Sequence, residues 1–126
     1  MKFIHTDNAP AAVGPYSQAI EVNGTLYVSG QIPFVPETMT LISEDIQEQT
    51  KQALANVAAI IKEAGYKKEE VVKCQVFLGD MDDFAKVNAV YEAFFGEHKP
   101  VRCAVEVARL PKDVGVEIDA ICVKEA

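Results

Sequence analysis

The sequence has no tryptophan, only two histidines and only three cysteines in 126 residues, and each scarcity excludes a class of chemistry. Cys74, Cys103 and Cys122 are odd in number, far apart, and form no Cys-x-x-Cys or Cys/His pattern. Such spacing supports neither a disulfide framework nor a zinc site. His5 and His98 lie at opposite ends of the chain without a second ligand at metal-binding spacing, so no metal and no cofactor is expected. Basic residues are outnumbered: 12 Lys and Arg against 19 Asp and Glu leave a net charge of -7. An anionic protein repels phosphate backbones and anionic lipid at long range, which weighs against nucleic acid and membrane partners. Long apolar runs are absent too, the longest being Val57 to Ile61, and the first ten residues lack the apolar stretch of a secretion signal. A cytoplasmic protein is expected.

What is present is the composition of a folded protein, 49% hydrophobic and 25% charged, with no repeat or low-complexity tract. Residues 1 to 126 read as one domain, long enough to bury a core without staples. Tyr16 to Val22 and Thr25 to Gln31 flank Asn23-Gly24, the pair that a type I′ hairpin turn favours because both its central residues need positive φ. Pro33, Pro36 and the polar stretch Glu37 to Thr40 then read as a loop. From Ser43 as N-cap, apolar residues recur at Ile46, Leu54, Val57, Ile60, Ile61 and Ala64 until Gly65, which predicts an amphipathic helix. Val71 to Leu78 is β-branched and apolar and reads as a strand. Asp82 to Phe95 carries Phe84, Val87, Tyr91, Phe94 and Phe95 on one stripe, a second helix stopped by Gly96. Val101 to Arg109 and Val116 to Val123 read as two strands of a closing hairpin, and Phe3 to His5 as a short extra one. The order predicts an α+β fold, a mostly antiparallel sheet with two helices packed on one face.

In the last two strands both parities are apolar, Val101, Cys103, Val105 and Val107 alternating with Ala104 and Ala108, and Ile118 and Ala120 with Ile121 and Val123. Strands apolar on both faces are covered on both. Two helices cover one face, so the other is expected to meet further copies of the chain.

Candidate chemistry gathers at two places. A two-residue turn would set Gln18 opposite Ser29 and Tyr16 opposite Gln31, all on one face, with Gly30 beside them leaving room for close approach. The four could position a small polar ligand or simply form cross-strand pairs on a solvated face. Arg102, among small residues on an apolar strand, needs a planar anionic partner, either a ligand carboxylate or the nearby Glu106. Glu117 opens the last strand and becomes a competent base if desolvated. With Arg109 opposite Val116, Arg102 and Glu117 would share a face but stand about 20 Å apart at roughly 3.3 Å per residue. On that register one small substrate could use both only if they came from different subunits.

Gly14 to Ala19, Val28 to Pro33, Phe84 to Phe95, Pro100 to Arg102 and Val105 to Lys112 together resemble the RidA (YjgF-type) family of enamine/imine deaminases, in order and over essentially the whole chain. The resemblance implies a chorismate-mutase-like fold and a homotrimer with its sheets forming a central barrel and its sites at subunit interfaces. It implies hydrolysis of 2-iminopropanoate and 2-iminobutanoate to 2-keto acids and ammonia. It places the carboxylate-binding arginine on Arg102, the water-activating glutamate on Glu117, and substrate-binding roles on Tyr16, Ser29 and the main chain of Ala104. Where many members have a cysteine two places after the arginine, this chain has Ala104; its Cys103 is one place nearer and of opposite parity. Met39 stands where the family often has glycine. The same Arg102 pocket without turnover would make a trimeric keto-acid-binding or regulatory module.

Overall fold

Asn23 and Gly24 take φ of 49° and 79°, and the turn they make sets Val22 opposite Thr25, as the dipeptide demands. The computed structural model describes residues 1–125 and contains, in chain order, β1 (Lys2–Ile4), β2 (Ala19–Val22), β3 (Thr25–Gln31), β4 (Phe34–Val35), β5 (Thr40–Leu41), α1 (Ile46–Glu63), β6 (Val71–Leu78), α2 (Phe84–Phe95), β7 (Val101–Glu106) and β8 (Val116–Val123). Six strands form one sheet in the order β1-β2-β3-β8-β6-β7, and β4 pairs with β5 as a separate small hairpin around Met39, whose φ is 57°. Every pairing in the large sheet is antiparallel except β6 with β7.

That exception corrects the sequence reading, in which the last two strands pair as a hairpin. The structure inserts β6 between them, and the first of the two ends at Glu106 rather than Arg109. Residues 107 to 115 are too long for a tight turn and include a short 3-10 turn, Pro111–Asp113, with Lys112 and Asp113 both at positive φ. Meanwhile α2 carries the chain from β6 back to β7, the crossover that a parallel pair requires.

Helix α1 begins two residues later than its sequence suggests: Asp45, not Ser43, caps it by accepting the Glu48 N–H at 2.9 Å, while the Ser43 hydroxyl accepts from Asp45 N. It ends in a Schellman turn, with Gly65 at φ 82° and Tyr66 N–H reaching the Ile61 carbonyl. Both helices cover one face of the sheet. The core lies between them: Leu26, Val28, Cys74, Val76, Leu78, Val116, Ile118 and Ala120 against Leu54, Val57, Ile60, Val87 and Phe95, all buried. The opposite face holds Tyr27, Phe77, Val101, Val105, Ile121 and Val123 without such cover. Among the described residues no helix is long and apolar enough to cross a membrane.

Candidate functional site

Strand β3 pairs regularly with β8 as far as Val28, where a bulge shifts the register before Gln31 meets Ile118. The extra residue reverses the alternation, so Gln31 turns into the core and is only 5% exposed. Gln18 is buried as well: its amide accepts from Thr6 N–H at 2.7 Å and donates to the carbonyls of Thr6 and Pro10, tying the N-terminal segment down. The expected polar quartet therefore does not form. Tyr16 and Ser29 remain, lining one cleft of about 500 Å³ with Ser17, Ile20 and Tyr27. The Ser29 hydroxyl donates to the Ser17 carbonyl at 2.6 Å, which fixes its oxygen within the cleft wall.

Gly30, inside the bulge, faces Glu117 on β8; a Cβ there would overlap the glutamate's carboxylate. Glu117 is half-buried, and its pKa is raised, first by burial and then by the nearby charge of Asp119. Asp119, also raised by burial, accepts the Gln75 N–H at 2.8 Å. A carboxyl that holds its proton more firmly than usual, beside a glycine that opens its approach, is suited to proton transfer. Tyr16, Ser29, Gly30 and Glu117 thus lie along neighbouring segments at one end of β3 and β8.

Arg102 lies elsewhere. It pairs with Cys74 across the parallel β6/β7 ladder, and Cys74 is buried under the helices. Its guanidinium therefore lies on the helix side of the edge strand, over α2. Nη1 donates to Asn88 Oδ1 at 2.7 Å, and the guanidinium carbon is 5.0 Å from the Tyr91 ring centroid and 5.5 Å from that of Phe84. Ala104 shares this side and packs against the core; Cys103, between them, is exposed on the other. Glu106 does not pair with Arg102, because its carboxylate accepts the Met81 N–H at 2.8 Å instead. Among the described residues Arg109 pairs with Asp113 and His5 Nε2 lies 3.0 Å from Asp7 Oδ1, and neither contact involves Arg102. A cleft of about 340 Å³ opens beside it, lined also by Asn88, Tyr91, Glu92, His98 and Lys99.

The shared face expected for Arg102 and Glu117 is corrected. With β6 as ruler, Arg102 sits beside Cys74, which points to the helices, and Glu117 beside Phe77, which points to the open face. Three residues along and two strands across put their Cα atoms about 14 Å apart, with the side chains on opposite sides of the sheet. The error followed from the hairpin register, which β6 replaces. Sequence reasoning also missed the residues holding Arg102. Phe84, Asn88 and Tyr91 stand at i, i+4 and i+7 on α2, and the one polar residue inside an aromatic stripe was the available signal.

The family model described as Endoribonuclease L-PSP matches residues 6–124. A 2-iminobutanoate/2-iminopropanoate deaminase of Salmonella typhimurium is 52% identical over 126 residues, 98% of each chain. A RutC family protein of Pyrococcus horikoshii is 54% identical over 122 residues, 97% of each chain. Among solved structures, the YjgF gene product of Escherichia coli is 51% identical with a TM-score of 0.95, covering 99% of this chain and 100% of that one. Escherichia coli TdcF with bound serine is 44% identical, also at a TM-score of 0.95 and the same coverage.

Proposed function

The chain belongs to the endoribonuclease L-PSP family, the YjgF/RidA family, and from that premise we propose that it hydrolyses short 2-imino acids, 2-iminopropanoate and 2-iminobutanoate, to 2-keto acids and ammonia. The observation that carries this reading is Arg102: a guanidinium at the mouth of a cleft, held by a neutral amide and two ring faces, with no ion pair to a carboxylate among the described residues. Such a group is matched to a small planar carboxylate. The naming of a relative at 52% identity as a 2-iminobutanoate/2-iminopropanoate deaminase, and the serine bound by TdcF, support the same substrate class.

The residues supply what the reaction asks for. The carbon of a protonated imine conjugated to a carboxylate is already electrophilic, so the protein needs to fix the substrate and manage protons. Arg102 grips the carboxylate, and the outer edge of β7 at Ala104 lies alongside. Glu117 takes a proton from the attacking water as the C–O bond forms. The resulting carbinolamine collapses when Glu117 returns that proton to nitrogen and, ionised again, takes the hydroxyl proton as the C=O bond forms and the C–N bond breaks; the proton that came in on the imine leaves with ammonia as ammonium, with no change of oxidation state. Tyr16 and Ser29 orient substrate and water.

Arg102 and Glu117 lie on opposite sides of one sheet, so a shared substrate takes Arg102 and Ala104 from one subunit and Tyr16, Ser29 and Glu117 from the next. A homotrimer whose sheets close into a central barrel would also cover the apolar open face. The test is keto-acid release from imines generated in situ from alanine-like and leucine-like precursors, with buffer, wild type and Arg102→Ala compared. Acceleration that disappears in Arg102→Ala is expected. Rates no better than buffer from folded protein would instead favour a keto-acid-binding module without turnover.

A further inference from the structure

Arginine carries its charge on a long side chain, and here that side chain sits on an edge strand and forms no ion pair among the described residues. A fork-to-fork grip on a carboxylate needs the guanidinium plane fixed before the ligand arrives, or binding must order it. Two ring faces limit how far the plane can tilt, since Tyr91 and Phe84 lie at 5.0 and 5.5 Å, but a face contact leaves rotation within the plane free. Only a directional bond to one N–H removes that freedom, and Asn88 Oδ1 makes it at 2.7 Å.

We propose that Asn88 is a positioning residue for Arg102, setting which N–H edge of the guanidinium faces the substrate carboxylate; this rests on the deaminase reading above. Several details fit. Arginine has no acceptor, so the Asn88 oxygen, not its NH₂, must face it, and the amide orientation is settled by chemistry. An amide occupies one donor while leaving the positive charge and the remaining donors for the ligand. An aspartate in its place would form an internal ion pair and compete with the substrate. Asn88 also lines the cleft beside Arg102, so the contact lies at the surface the ligand reaches. Within α2, asparagine is a poorer helix former than alanine, and Asn88 is not among the buried residues of that helix. Its helical role alone gives no reason for it.

The test is binding of 2-oxobutanoate by calorimetry, together with steady-state deamination, for wild type, Asn88→Ala, Asn88→Asp, Arg102→Ala and the double variant Asn88→Ala/Arg102→Ala. Asn88→Ala should weaken keto-acid binding and raise KM by about 10-fold, with kcat within about twofold of wild type and an unchanged or higher melting temperature. Asn88→Asp, of the same size, should weaken binding further, by about 100-fold, because it supplies a competing charge. With Arg102 already alanine, adding Asn88→Ala should change nothing further. Binding like wild type in both Asn88 variants would overturn the inference, and so would an Asn88→Ala loss that persists undiminished without Arg102, which marks a structural role. Unchanged binding in Arg102→Ala is a different result, and it would overturn the deaminase site itself.

Discussion

Glu117 occupies the space that Gly30 leaves empty. A Cβ on Gly30 would overlap the Glu117 carboxylate and crowd its Cγ at 3.1 Å, while the backbone at Gly30 is not in the left-handed region. The glycine is therefore required by its neighbour across the ladder, not by its own φ. Gly30→Ala should displace the carboxylate by rotation about its own side-chain bonds, which is cheap in stability and costly in geometry. We expect a fall in kcat of about 10-fold or more with a stability loss of about 1 kcal/mol or less. Wild-type turnover in this variant would show that the carboxylate position does not matter.

The raised pKa of Glu117 links stability and activity in opposite directions. The folded protein holds the Glu117 proton more tightly than the unfolded chain does, because burial and Asp119 disfavour the charge. Its contribution to stability is thus complete below the ordinary glutamate value and is lost as pH rises through the raised one. With Glu117 as the proposed base, activity needs its ionised form and should climb over the same window. Glu117→Gln should therefore melt higher than wild type at neutral pH, lose about 10²–10⁴-fold in turnover, and still bind keto acid. Asp119→Asn keeps an acceptor for the Gln75 N–H but removes a charge, so the acid limb of the pH–rate profile should move to lower pH. An unmoved limb would contradict the assignment of Glu117 as the titrating base.

Replacing Arg102 by lysine keeps the charge and removes the fork. Lysine cannot donate two parallel N–H bonds to a carboxylate, nor stack flat on Tyr91 and Phe84. Arg102→Lys should raise KM by an amount equivalent to about 1–3 kcal/mol. A variant indistinguishable from wild type would remove the clamp from the account.

The Tyr91 hydroxyl is buried beside the Cys74 thiol, and burial raises the pKa of both; that of Cys74 is pushed up to about 11. What Tyr91 contributes is its ring, which lies under Arg102 and 4.9 Å from the Phe95 centroid. Tyr91→Phe should change stability by about 1 kcal/mol or less, with keto-acid affinity intact. Tyr91→Leu should weaken that affinity. Equal loss in both variants would give the hydroxyl a role that the geometry does not.

Local signals in the sequence were reliable where the chain itself sets the conformation. Asn23-Gly24 dictates its turn, Gly65 and Gly96 end their helices, and the β-branched run from Val71 to Leu78 is a strand over those same residues. Met39, expected where the family often has glycine, adopts the left-handed φ that a glycine would take. Partner choice was not legible. An apolar pattern on both faces fits any neighbour, so nothing in Val101 to Glu106 distinguishes an antiparallel partner in β8 from a parallel one in β6. That single mispairing placed Arg102 and Glu117 on one face. The bulge at Ser29-Gly30 left one trace, a glycine inside a strand pattern, but that trace does not say which neighbouring side chains the extra residue turns into the core. Glu117 and Gly30 were legible individually, but their contact was not.

In the proposed mechanism Arg102 and Glu117, on opposite sides of one sheet, act on one substrate from two subunits. The most direct measurement is imine deamination by oligomers reassembled from equal amounts of Arg102→Ala and Glu117→Gln chains, each nearly inactive alone. With random assembly, about one interface in four joins an intact Arg102 to an intact Glu117, so activity should return to about a quarter of the wild-type level. If both residues served the same site from one chain, no mixture would contain an intact site, and activity would stay at the level of the separate variants.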